Sequence, residues 1–144
     1  MGPVDQTGRV ARSVEDENRR MLRARDAMDR DYARPLDVAE LSAVACVSQA
    51  HFIRSFKATF GETPHRYLQR RRVERAMYLL RTSDRTVTDV CMEVGFSSLG
   101  TFSRTFRDIV GESPSQFRDR GPMPGVPSCF VKAWTRPSSF GEAS

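Results

Sequence analysis

Residues 52–64, FIRSFKATFGETP, are echoed fifty positions later by residues 102–114, FSRTFRDIVGESP. Phe52 aligns with Phe102, Arg54 with Arg104, Phe56 with Phe106 and Lys57 with Arg107. Gly61, Glu62 and Pro64 align in turn with Gly111, Glu112 and Pro114. In each copy the phenylalanines stand four apart, the spacing that places both rings on one helix face. The glycine supplies a left-handed stop. Thr63-Pro64 and Ser113-Pro114 then read as an N-cap followed by a proline in the first helical position.

Each copy is preceded by a shorter helical pattern. In the first, Asp37 and Glu40 have capping-box spacing, Leu41 and Val44 supply an apolar face, Val47 lies in a turn, and Ser48 caps the next helix. In the second, Thr86 caps VTDVCMEV, residues 87–94, and Gly95 to Ser98 make the turn. Ser48 aligns with Ser97 at an offset of 49, whereas Phe52 and Phe102 stand 50 apart, so the second turn carries an extra residue. Between the copies, Pro64 to about Leu80 forms a long helix with a stripe of Tyr67, Leu68, Val73, Ala76, Met77 and Leu80. Ser113 and Gln116 open a last short helix. Upstream, Val14 to Arg30 reads as a charged amphipathic helix whose thin stripe is Val14, Met21, Leu22 and Met28.

Residues 1–12 carry no periodicity and are expected to be a disordered arm. Residues 121–144, rich in proline and glycine, are expected to be an extended tail, with CFVKAW (129–134) apolar enough to dock. No segment has the two-residue period of a strand, so the expectation is all-α.

Composition narrows the function. With 144 residues the chain holds one domain or two small ones, and no apolar run approaches a membrane span. The start lacks a secretory h-region, so an intracellular, cytoplasmic protein is expected. Cys46, Cys91 and Cys129 have neither CxxC spacing nor neighbouring histidines, which argues against a metal site or a disulfide framework. No cofactor is indicated. The formal net charge of +5, carried mostly by arginine, suits a polyanionic partner.

A short helix, tight turn, second helix and glycine stop is the plan of a helix-turn-helix. Three phenylalanines in line (Phe52, Phe56, Phe60) must face the core, since exposed they would form an adhesive patch. Gln49, Ala50, Ile53, Arg54 and Lys57 are then left outward. In the second copy Phe102, Phe106, Ile109 and Val110 go inward, and Ser98, Leu99, Gly100, Ser103, Arg104 and Arg107 outward. A mid-helix arginine can pair bidentately with guanine, and the base one turn later can reach phosphate.

The stretches LSAVACVSQAHFIRSFKATFGETPHRYLQRRRVERAMYLL and VTDVCMEVGFSSLGTFSRTFRDIVGESPSQFR resemble the DNA-binding domain of the AraC/XylS family of bacterial transcription regulators. They cover about the middle two-thirds of the chain, and GFSSLGTFSRTFR with GESPSQFR carries the more specific signal. The resemblance implies a homeodomain-like domain of about seven helices over residues 13–120. Two helix-turn-helix subdomains (38–60 and 87–110) are joined by a linker helix (64–81), and one chain reads successive major-groove segments as a monomer. Position by position, it implies base reading by Gln49, Ala50, Ile53, Arg54, Ser98, Leu99, Gly100, Ser103 and Arg104. Phosphate anchoring falls to Ser48, Lys57, Thr63, His65, Arg66, Arg107, Ser113 and Ser115. Double-stranded DNA is the implied partner, RNA polymerase a candidate one, and the location the nucleoid. No catalytic residue, metal or cofactor is implied, and no effector domain is expected in this chain.

Three departures stand out. Ala50 and Ile53 replace the polar or aromatic readers common in the family, and Arg71 stands where an apolar residue is usual. Only about a dozen residues precede the first helix. The rival readings are a DNA-repair alkyl acceptor or thiol redox sensor, for which Cys46 and Cys91 are expected to be packed too deeply, and a basic protein-interaction module.

Overall fold

A computed structural model describes the backbone of residues 3–121 and the side chains of residues 12–121. Seven helices and no strand occur among the described residues: α1 (Pro3–Asp31), α2 (Val38–Ala45), α3 (Gln49–Phe60), α4 (Pro64–Thr82), α5 (Val87–Glu93), α6 (Leu99–Val110) and α7 (Pro114–Arg120). Five of them begin at a side-chain cap. Asp37, Ser48, Thr86, Ser98 and Ser113 each accept a hydrogen bond from the backbone N–H three residues on. Ser113 and Gln116 complete a reciprocal capping box. The expected tail and Cys129 lie outside the described residues.

The chain divides into two compact units. In the first, α1, α2 and α3 pack against one another. Met21, Ala24 and Met28 of α1, Leu41 and Ala45 of α2, and Phe52 and Phe56 of α3 are buried. The α3 rings stack edgewise in sequence, with centroids 5.6 Å apart for Phe52–Phe56 and 4.6 Å for Phe56–Phe60. Arg25, also buried, lays its guanidinium 4.8 Å from the Phe60 centroid, a cation–π contact.

Four expectations change here. The helix expected from Val14 begins at Pro3, so the arm expected over residues 1–12 has helical backbone from that residue. A proline at the first helical position loses no hydrogen bond, which makes this start compatible with the sequence. Val14 and Leu22 are exposed, and the buried stripe is Met21, Ala24, Arg25, Ala27 and Met28. Val44 is exposed as well, Ala45 taking the inward place beside Leu41. Cys46, expected to fill a packing site, is exposed.

Among the described residues, the second unit comprises Tyr32–Pro35 and residues 65–121. Its core joins Val73, Ala76, Met77 and Leu80 of α4, Val90 and Cys91 of α5, Phe102 and Phe106 of α6, and Phe117 of α7. Four rings run through it: Phe96–Phe102 at 5.2 Å, Phe102–Phe106 at 5.7 Å and Phe106–Phe117 at 5.6 Å. Such tilted pairs add ~0.5–1.5 kcal/mol each beyond their burial. Arg118 donates to the carbonyls of Leu80 (3.2 Å) and Ser83 (3.4 Å), satisfying acceptors at the end of α4.

The duplication reaches further back than the phenylalanine motif. At an offset of 49, Ala24, Arg25, Ala27 and Met28 of α1 match Val73, Glu74, Ala76 and Met77 of α4, and all eight are buried. Each unit therefore sets a long helix against a helix-turn-helix. The two turns begin alike. Val47 N–H donates to Ser42 O and Cys46 N–H to Ala43 O, while Phe96 N–H donates to Cys91 O and Gly95 N–H to Met92 O. Both are Schellman closures. The extra residue of the second turn therefore falls after Phe96, and the cap of α6 is Ser98, not Ser97.

Candidate nucleic-acid interface

Helices α3 and α6 are built to one specification. Both run twelve residues, from a capping serine to a left-handed glycine: Gly61 (φ 81°) donates to Lys57 O, and Gly111 (φ 98°) to Arg107 O. With Phe52 and Phe56, or Phe102 and Phe106, fully buried, helical geometry turns the opposite face outward. On that face Arg54 and Lys57 of α3, and Arg104 and Arg107 of α6, are exposed.

The expected base-reading residues are mostly exposed. Gln49, Ala50, Ile53, Arg54, Ser98, Leu99, Gly100 and Arg104 are exposed, and Ser103 is half-buried. Ser98 has work inside the helix: its hydroxyl accepts from Thr101 N–H (3.1 Å) and lies 3.3 Å from Thr101 Oγ1. Arg104 curls back over the first turn, its Nη2 3.5 Å from Thr101 Oγ1. A side chain at Gly100 would put its Cβ 3.6 Å from Arg104 Nη1. The glycine thus leaves the guanidinium open on that side.

The expected phosphate residues divide. Ser48, Lys57, His65, Arg107 and Ser115 are exposed, whereas Thr63, Arg66 and Ser113 are half-buried. Ser48 and Ser113 accept backbone N–H groups as caps. Arg66 is ion-paired with Asp108, Nη1 to Oδ2 3.3 Å.

Sequence reasoning missed the braces beneath these helices. Arg20 of α1 donates to the carbonyls of Ala45 (3.3 Å) and Cys46 (3.0 Å), pinning the first turn. His51 Nε2 sits 2.8 Å from Glu17 Oε2 and 3.2 Å from Ser55 Oγ, tying α3 to α1. In the second unit Arg72 donates to Tyr32 O (2.7 Å) and Arg34 O (2.9 Å), with its guanidinium 5.9 Å from the Phe96 ring. Burial lowers its pKa. Glu74, 2 % exposed, meets Arg70 (3.3 Å) and Arg71 (3.5 Å). Burial lifts its carboxyl to about 7 against the pull of both arginines. Arg71, unusual at its position, lies 5.8 Å from the Tyr32 ring. The 49-residue offset between α1 and α4 was the one signal that could have drawn attention to these buried charges.

No group of three or more His, Cys, Asp or Glu able to hold a metal occurs among the described residues. No helix among them is long and apolar enough to cross a membrane. Cys91 is buried and its thiol pKa is raised by desolvation, the opposite of what a reactive cysteine needs.

Residues 41–120, more than half of the chain, match the family model described as a helix-turn-helix domain. The chain belongs to the AraC-type helix-turn-helix family, whose named members are transcription regulators. LumQ of Photobacterium leiognathi, named a probable transcriptional regulator, is 39% identical over 83 residues, covering 58% of this chain and 34% of LumQ. A Streptomyces lividans protein named as an AraC-like transcription regulator is 36% identical over 97 residues, 67% of this chain and 32% of its own. The chain thus spans about a third of the length of these two relatives. Among solved structures, the DNA-binding domain of AdpA, a global transcriptional factor crystallised with a target DNA, is similar at a TM-score of 0.66. Its identity is 31%, over 69% of this chain and 89% of that one.

Proposed function

We propose that this chain is a sequence-specific transcription regulator that binds double-stranded DNA, with α3 and α6 each entering the major groove as a reading helix. The observation that carries this reading is the paired outward face: two helices of equal length, equally capped, each burying a phenylalanine pair and exposing an arginine at its middle. Arg54 and Arg104 then read base edges, while Lys57, His65, Arg107 and Ser115 anchor phosphates. Ser48, Thr63 and Ser113 contribute through the helix starts they cap or precede, where backbone N–H groups and the helix dipole favour an anion. The likeness to the AdpA domain supports the reading, since that domain was crystallised on a target DNA.

One chain engages two groove segments, one per unit, so a monomer suffices. Its place is the nucleoid. Any contact with RNA polymerase falls to surfaces left free of DNA, such as exposed Arg75 of α4 or the charged outer face of α1. Repression needs binding alone and activation a further contact with RNA polymerase, and neither calls for a catalytic step.

In-vitro selection from a random duplex pool, followed by titration of the selected site and of random duplex, tests this. Arg104→Ala should weaken binding to the selected site by ~1–3 kcal/mol while hardly changing affinity for random duplex. An equal loss on both would reduce Arg104 to a phosphate contact. No preference for any duplex would end the proposal.

A further inference from the structure

The reading faces of α3 and α6 share their arginine but not its surroundings, and the difference is an exchange. At an offset of 50, Gln49 of α3 stands where α6 has Leu99, and Ile53 of α3 where α6 has Ser103. Each face thus carries one large apolar side chain and one small or amide polar one, in opposite order. Ile53 remains 39% exposed and Leu99 42%, although neither packs in its unit's core. Ala50 and Gly100, beside them, are exposed and small enough to let the backbone approach a groove floor. Exposed aliphatic groups on such a helix, Ile53 beside its arginine and Leu99 at the helix start, match one feature of the major groove above all, the 5-methyl of thymine.

We infer that Ile53 and Leu99 are thymine-selecting residues, and that the two half-sites differ in where that thymine stands relative to the base read by arginine. This inference rests on the reading of α3 and α6 as DNA-reading helices. Ile53 is the residue immediately before Arg54, so its thymine lies next to the arginine-read base. Leu99 is five residues before Arg104, roughly 7.5 Å along the helix. Its thymine therefore stands about two base pairs away at the ~3.4 Å step of B-form DNA. The polar partners Gln49 and Ser103 occupy the complementary places, where Gln49 suits adenine. The DNA site is accordingly two unlike halves in a fixed order, with no palindromic relation between them.

The test uses the selected duplex with each thymine replaced in turn by deoxyuridine, which removes the methyl and leaves the base pair. One thymine in each half should be methyl-dependent, with binding weakened about fourfold, the loss expected for one methyl-sized contact. The dependence in the α3 half should vanish in Ile53→Ser, and that in the α6 half in Leu99→Gln. The paired exchange Gln49→Leu with Ile53→Ser should make α3 select a half-site like that of α6. Tolerance of deoxyuridine at every position, or selected halves of identical sequence, overturns the inference while leaving the DNA-binding reading intact. Equal affinity for selected and random duplex would overturn both.

Discussion

Cys46 and Gly95 occupy the same place in the two turns and answer the same backbone demand differently. Cys46 sits at φ 59°, ψ 42°, inside the left-handed region that an L-residue enters at a cost of roughly 1–2 kcal/mol. Glycine there avoids that cost but gives up ~0.5–1 kcal/mol in unfolded-chain entropy. Cys46→Gly should therefore raise stability by about 0.5–1 kcal/mol, read as a higher denaturation midpoint at unchanged slope. No such freedom exists at Gly95. Its φ is 102°, and an added Cβ would lie 3.0 Å from both Ala33 O and Arg72 Nε. Gly95→Ala should cost about 2 kcal/mol or more, through backbone strain and displacement of the Arg72 brace. A neutral Gly95→Ala, or a destabilising Cys46→Gly, would contradict this account of the turns. A third residue sets a pH dependence. Glu74 has its pKa raised from 4.5 to about 7, chiefly by burial. The folded state therefore holds that proton more tightly than the unfolded one, and its stabilising effect is complete below about pH 4.5. It is lost as the pH rises through about 7. Between pH 5 and 8 the chain should lose stability relative to Glu74→Gln, on the order of 2 kcal/mol. Parallel curves for the two proteins would show that Glu74 does not titrate in that range.

At the scale of elements, legibility followed periodicity and caps. Helices α3 and α6 were readable because Phe-x-x-x-Phe, a capping serine and a stop glycine specify orientation and both ends at once. Helix α1 was harder. Its buried stripe is made of Ala24, Arg25, Ala27 and two methionines, so hydropathy drew attention to Val14 and Leu22, which are exposed. A buried arginine cannot be told from a solvated one without knowing that the Phe60 ring lies beneath it. The same limit hid Arg20, Arg72 and Glu74, whose partners are backbone carbonyls or arginines that only the fold brings near. Ser98 was legible as a polar residue at the head of a reading helix, but not as its cap, because the extra residue in the second turn left Ser97 and Ser98 equally placed. Of the expected interface, the exposure of the expected readers followed from the phenylalanine frame, whereas the pairing of Arg66 with Asp108 did not.

For the whole molecule, the proposed binding of duplex DNA by a chain of net charge +5 through α3 and α6 would be a matter of counterion release. Affinity for duplex DNA should fall steeply and linearly on a log–log plot against salt. Removing a proposed phosphate contact such as the exposed Lys57 should lower the slope by about one, whereas Ile53→Ser, which changes no charge, should leave it alone. The most direct measurement of the central claim is an amide chemical-shift map of the labelled chain titrated with its selected duplex. The largest changes should cluster in Gln49–Lys57 and in Leu99–Arg107, with the buried stripe of α4 far less affected. Changes in only one of those segments would mean a single reading helix. Their absence from both, with the duplex bound elsewhere, would contradict the account.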